Sequence, residues 1–142
     1  EACQTSDANV VAAGDCTNHP SVRYGRRVRL ESVDNDVEQG KTAAASMCGK
    51  PARHAHVPWF WSDQYDVKLQ IAGLSEGYDQ AVVRGDPDAG SFALYYLARG
   101  ELLAVDAVNS MRDFMTGKKW IAERKHPDAK KLADTTIDLK TI

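Results

Sequence analysis

From Val67 onward the sequence takes on a period of two. Val67, Leu69 and Ile71 lie two residues apart, Ala81 and Val83 repeat the spacing, and Phe92, Leu94 and Tyr96 repeat it again. That period belongs to half-buried strands; a helix would bring its apolar residues back at three and four. Turn signals separate the runs: Ser75 to Asp79 (SEGYD), Gly85 to Gly90 (GDPDAG), and Arg99-Gly100-Glu101 before a fourth run, Leu102 to Val108. Connections this short join antiparallel strands, because parallel neighbours need a crossover of about a dozen residues or more. The expected core is therefore an antiparallel meander. A helix is expected next, from about Ser110 to Lys125, with Met111, Phe114, Met115, Ile121 and Ala122 on one side. Ser110-x-x-Asp113 reads as its capping box and Pro127 as its stop.

The first fifty residues follow another pattern. Asn9 to Ala13 (NVVAA) reads as a buried strand that ends at Gly14-Asp15. Thr17 to Arg27 reads as a polar loop. Ser32 to Cys48 reads as a helix whose apolar or small stripe is Val33, Val37, Gly40, Ala44 and Met47, stopped by Gly49 and Pro51. The expected division is 1–50 as the end of an α/β domain, 51–57 as a linker and 58–142 as a second domain. The fold class is α+β, an antiparallel sheet with helices packed on it, preceded by one strand and one helix of the α/β remnant.

Composition excludes several functions. At 43% hydrophobic, 142 residues suffice for a compact core. A net charge of −2 gives no electrostatic case for nucleic acid, and signs alternate around the basic residues where phosphate tracking would need a continuous strip. No apolar run approaches the roughly 20 residues of a membrane span. Cys3, Cys16 and Cys48 are an odd count without framework spacing, which suits reduced thiols in a cytoplasm. Cys16 and Cys48 are expected to be small buried hydrophobes. His54-Ala-His56 could open a metal site, but no Cys, Asp or Glu stands near it in sequence and His19 and His126 are remote, so no metal is expected.

Two tryptophans stand just before the alternating region, in Pro58-Trp-Phe-Trp-Ser-Asp. Trp59 and Trp61 are expected on opposite faces of an extended segment, one packing inward and one presenting a flat π-surface. Spacing alone favours the plainer reading, in which both fill core volume.

Ala12 to Cys16 (AAGDC), Arg29-Leu30-Glu31-Ser32-Val33, Gln39-Gly40-Lys41, Pro58 to Asp79, Ala104-Val105-Asp106 and Val108-Asn109 occur in an order that resembles the C-terminal part of a ferredoxin reductase. The family meant is the FAD-containing, NADH-dependent one, of putidaredoxin reductase and biphenyl dioxygenase reductase type, which serves oxygenases and cytochromes P450. The resemblance implies two nucleotide-binding units, each opening on a Gly-rich turn. No G-x-G-x-x-G occurs in this sequence. The chain is therefore expected to be part of a longer reductase, inactive alone, whose parent moves electrons from NAD(P)H through FAD to a 2Fe–2S ferredoxin.

The resemblance also assigns residues. Asp15 would bind the ribityl chain of FAD; without it, a strand-end Asp is more often a cap. The backbone of Val33 would meet the flavin pyrimidine at a helix N-terminus, where developing negative charge is favoured. Glu31 and Ser32 would lie near the nicotinamide amide or the flavin edge, with simple N-capping the open alternative. Trp61 would stand between the cofactor and the iron–sulfur partner, leaving Trp59 in the core. Position 36 departs from the pattern: it is usually small and apolar, and here it is Asp36. Facing the flavin, it would disfavour reduction. No residue is expected to act as acid, base or nucleophile.

Arg23, Arg26, Arg27 and Arg29 crowd into seven residues and could steer an acidic ferredoxin, although such runs are usually solvated loops. Lys41 and Lys140 are the expected docking contacts, and a homodimer is compatible with the assignment. Two rivals remain: a stand-alone redox-partner interaction module without cofactor, and a flavin disulfide or NADH oxidoreductase. The absence of a C-x-x-C or C-x₄-C pair weighs against the latter.

Overall fold

The computed structural model describes residues 2–142 and divides into two units, Glu1–His56 and Val57–Ile142.

The first unit holds a short hairpin, β1 (His19–Ser21) and β2 (Arg26–Val28), and one long helix, α1 (Val33–Met47). Thr17 to Arg27 is thus a hairpin arm as well as a loop. Asn9 to Ala13 is not a strand: Val11 makes an isolated antiparallel bridge to Gln4, and among the described residues no ladder extends it. The α1 boundaries follow their chemistry. Ser32 is extended and accepts from the Asn35 amide at 3.2 Å, and Gly49 ends the helix at φ +68. The buried face is the reverse of the expected one. Val33, Val37 and Met47 are exposed, whereas Asn35, Gln39, Thr42 and Ala43 are buried. The polar residues go inward because each satisfies groups there: Asn35 Nδ2 donates to the Leu30 carbonyl at 2.9 Å and Thr42 Oγ1 to the Glu38 carbonyl at 2.9 Å.

The second unit is a five-stranded antiparallel sheet in the order β3-β4-β7-β6-β5. The strands are β3 (Trp59–Gln64), β4 (Val67–Gly73), β5 (Gln80–Asp86), β6 (Ser91–Ala98) and β7 (Glu101–Val108). Helix α2 (Met111–Ala122), the short α3 (Ala129–Ala133) and a 3₁₀ turn at Leu139–Thr141 complete it. The core lies between the sheet and the helices. It contains Ala72, Val82, Ala93, Tyr95, Leu97, Val105 and Ala107 from the strands, with Phe114, Trp120, Ile121, Leu132 and Leu139 from the segments after them. The strand residues that carry the clearest alternation, such as Val67 and Val83, belong to the opposite, more exposed face. In β6 both parities are apolar, so alternation marks the strand without saying which side α2 will cover.

Small residues set the helix-to-sheet distance. A Cβ on Gly117 would stand 2.5 Å from Val105 Cγ1. The buried residues of α2 are Phe114, Gly117, Trp120 and Ile121; Met111 and Met115, expected inside, are each 57% exposed. The expected capping box also fails. Ser110 makes no side-chain cap, and its hydroxyl donates to Asp113 Oδ2 instead. Asp is one methylene shorter than the Glu of a capping box, and this carboxylate is engaged by Tyr95 and Arg84. The helix stops before Pro127, at Arg124 with φ +52, where the Lys125 amide returns to the Trp120 carbonyl and the Arg124 amide to Ile121.

Candidate functional site

The residues singled out in the first unit gather around the start of α1. Gly14 is buried at φ +87, and a Cβ there would lie 2.7 Å from Asp36 Oδ1, so the turn carrying Asp15 packs against the first turns of the helix. Gln39 ties the two together. Its Oε1 accepts from the Gly14 amide at 2.7 Å and from Thr17 Oγ1 at 2.8 Å, while its Nε2 donates to His19 Nδ1 at 2.8 Å. Gln39 is 1% exposed. Asp15 itself is exposed on that turn, and Val33 is exposed at the helix start. Glu31 pairs with Arg29 at 3.0 Å in solvent, and Ser32 is the N-cap. Asp36 is exposed.

Three imidazoles pack beside this arrangement. His54 stacks edge-on between His19 and His56, with ring centroids 4.9 and 4.7 Å away. His56 Nε2 lies 2.7 Å from Asp34 Oδ2. Burial is the main cause that lowers the His54 pKa to about 4, with His56 and then His19 adding to the shift. Among the described residues no group of three or more His, Cys, Asp or Glu is arranged to hold a metal. A cavity of about 470 Å³ is lined by Cys3, Thr5, Cys16, Thr17, His19 and His54, among others. All three cysteines are free. Cys16 and Cys48 are exposed rather than buried, one on the Gly14–Thr17 turn and the other at the C-cap of α1.

The arginine run is not a bare cationic patch. Arg27 donates to the Asn18 carbonyl and Arg29 pairs with Glu31. Arg23 and Arg26 also have partners. Lys41 is exposed and pairs with Glu38 at 2.6 Å.

Trp61 belongs to the second unit, on the edge strand β3. It does not oppose Trp59. Residues i and i+2 of a strand share a face, and the two rings stack with centroids 5.0 Å apart and planes at 29°. Trp59 continues inward to Phe114 at 5.6 Å, and Lys118 Nζ lies over its ring at 4.8 Å. Trp61 remains 45% exposed at the outer end of this stack. Its ring is thus held from behind and open in front. Lys140 is exposed, in the 3₁₀ turn.

A family model described as Reductase C-terminal matches residues 59–142, the whole sheet and the helices after it. The chain belongs to the Reductase C-terminal family. Curated relatives extend the likeness to the first unit. The putidaredoxin reductase of Pseudomonas putida is 44% identical over 142 residues, covering 100% of this chain and 34% of that protein. The ferredoxin reductase subunit of 5,5'-dehydrodivanillate O-demethylase from Sphingobium sp. is 43% identical, covering 100% of this chain and 35% of that protein. The chain therefore spans about a third of the length of these relatives. Among solved structures, the ferredoxin reductase for the CYP199A2 system of Rhodopseudomonas palustris superposes with a TM-score of 0.93 at 39% identity, over 99% of this chain and 35% of that one. The reductase of the covalent putidaredoxin reductase–putidaredoxin complex gives 0.93 at 44%, over 99% and 34%.

For this member of the Reductase C-terminal family the sequence reading missed Gln39 as a hub, Arg84 as a buried charge and Lys118 beside the tryptophans. Gln39 had one usable signal, its place at i+4 from Asn35 on the helix. Arg84 had none, since a charged residue in a strand ordinarily faces water.

Proposed function

We propose that the chain is the C-terminal part of a flavoprotein that moves electrons from NAD(P)H through FAD to a 2Fe–2S ferredoxin serving an oxygenase or a cytochrome P450. The observation that carries this reading is the 43–44% identity to proteins named as ferredoxin reductases over the full 142 residues, beyond the 59–142 covered by the family model.

The residues of the first unit fit a flavin by their chemistry. Asp15 offers an exposed carboxylate on a turn locked by Gln39, suited to accept from ribityl hydroxyls. The exposed start of α1 at Val33 offers backbone donors and the positive end of a helix dipole to the pyrimidine edge. Ser32 fixes that end by capping it, and Glu31 stands beside it. Asp36, next to Gly14, adds a negative charge that opposes electron uptake nearby. When bound, the flavin supplies the exchange between a two-electron donor and a one-electron acceptor. Trp61, backed by Trp59, presents a fixed aromatic surface toward the partner. Lys41 and Lys140 are the proposed docking cations, and the whole protein is placed in the cytoplasm. No helix among the described residues is long and apolar enough to cross a membrane.

The test is an FAD titration of the 142-residue chain by flavin fluorescence, followed by turnover with NADH and a 2Fe–2S ferredoxin. We expect turnover no higher than with free flavin, and ferredoxin reduction by the full-length parent. Robust turnover by the chain alone would overturn the assignment of the fragment. A full-length parent that reduces no ferredoxin would overturn the function.

A further inference from the structure

Arg84 is a cation on the inner face of the edge strand β5, and it is 8% exposed. A charge is retained in such a place only when it is paired and its donors are satisfied. Nη1 donates to the carbonyls of Leu132 at 3.0 Å and Asp134 at 2.6 Å, and Nη2 to Ile137 at 2.8 Å. Nε lies 3.4 Å from Asp113 Oδ1. Three of the four partners are backbone oxygens of one short segment after α2. A planar fork of donors can hold three carbonyls at once; an ammonium cannot match that geometry.

The residues immediately after this clamp are fixed as well. Asp138 Oδ1 accepts from the Lys140 amide at 2.9 Å, and Asp138 pairs with Arg112. Leu139 is 2% exposed in the core. Residues 137, 138 and 139 are therefore each tied down, and Lys140 is the exposed residue that follows.

We propose that Arg84 is a positioning residue for ferredoxin docking that acts through Lys140. The inference rests on the reading of Lys140 as a docking residue. A docking side chain on a held backbone loses less conformational freedom when the partner arrives. With the clamp gone, the tail that carries Lys140 frays and the docking contact must be ordered at each encounter.

The experiment uses the full-length reductase with a 2Fe–2S ferredoxin and three variants, Arg84→Lys, Lys140→Ala and the double. NADH-dependent reduction of a small-molecule acceptor, which needs no ferredoxin contact, reports folding. Lys140→Ala is expected to raise KM for ferredoxin about three- to ten-fold, the scale of an interface charge. Arg84→Lys is expected to do nearly the same, with the effect in KM rather than kcat. The double variant is expected to be no worse than Lys140→Ala alone, because residues acting as one unit are not additive. If Lys140→Ala leaves KM unchanged, the docking reading is wrong. If Lys140→Ala raises KM while Arg84→Lys is silent, or adds its full effect in the double, the positioning role is wrong. Should Arg84→Lys fail to fold, Asp138→Asn weakens the next tie while sparing the core. It must show the same non-additivity with Lys140→Ala, and simple additivity there also overturns the proposal.

Discussion

Tyr95, at 0% exposure in β6, donates its phenolic hydrogen to Asp113 Oδ1, in the first turn of α2, at 2.7 Å. Burial, and then the carboxylate, push the Tyr95 hydroxyl well above the ordinary phenol range, so it stays a donor at every working pH. The same carboxylate takes a hydrogen bond from Ser110 and faces Arg84. Sheet, helix and tail therefore meet at one acid. Tyr95→Phe removes a single bond to a charged acceptor and should cost about 1.5–3 kcal/mol. Asp113→Ala leaves Arg84 as a buried charge without its counter-ion and should cost about 3–5 kcal/mol. Urea unfolding followed by tryptophan fluorescence measures both, since Trp59, Trp61 and Trp120 all lie in the second unit. A larger loss for Tyr95→Phe would reverse the ranking of the ion pair and the hydrogen bond.

Gly117 presents two opposing terms. Alanine in the middle of α2 gains about 1 kcal/mol of helix propensity. Its Cβ, however, would lie 2.5 Å from Val105 Cγ1 and 3.0 Å from Val105 Cβ, and Val105 is itself fully buried. Overpacking of that kind costs about 1–3 kcal/mol, so the clash should win and Gly117→Ala should lower the urea midpoint. Adding Val105→Ala makes room for the new methyl. The double variant should therefore lose less than the sum of the two single losses. Strict additivity would show that α2 does not press on β7 at this point.

Gln39 holds the turn before Asp15 through its carbonyl oxygen and His19 through its amide. Gln39→Leu keeps the bulk but strands the Gly14 amide, a buried donor whose loss costs about 1–3 kcal/mol. Faster hydrogen exchange at Gly14 and Thr17 in the variant checks this. In the full-length parent the same change should reduce the FAD retained on purification, if the turn presents Asp15 to the ribityl chain. Unchanged exchange would mean that other contacts hold the turn.

These cases show what the sequence made legible and what it left out. The ends of α1 were readable because Ser32 and Gly49 act locally, through a cap and a positive φ. The strands of the second unit were readable because period two is local as well. Burial was not. Val33, Val37 and Met47 look like the inner face of α1 and are exposed, because Asn35 and Gln39 are needed inside to satisfy loop backbone. Trp120 is 4% exposed in the core while Met111 and Met115 face out, since helical spacing fits several faces until the sheet selects one. The stacked tryptophans follow from strand geometry alone, once β3 is recognised as a strand.

His54 makes the first unit sensitive to acid. Burial is the main reason its pKa falls from 6.5 to about 4, with His56 and His19 adding to the shift and Glu38 and Asp34 opposing it. His19 is lowered in the same direction, mainly by burial. Between those two pH values the unfolded chain binds a proton that the folded unit refuses, so stability rises with pH through this window. The contribution of neutral His54 is fully present above pH 6.5 and is lost as pH falls toward 4. His56, paired with Asp34, has a counter-ion at hand; the His54 Nδ1 is buried and has no hydrogen-bond partner among the described residues. Hydrogen exchange across 51–56, corrected for intrinsic rates, should therefore accelerate between pH 7 and pH 5. His54→Phe keeps an aromatic ring in the stack and removes the titration, so it should flatten most of that change, leaving a smaller slope from His19. An equal acceleration in His54→Phe would place the acid sensitivity on another group.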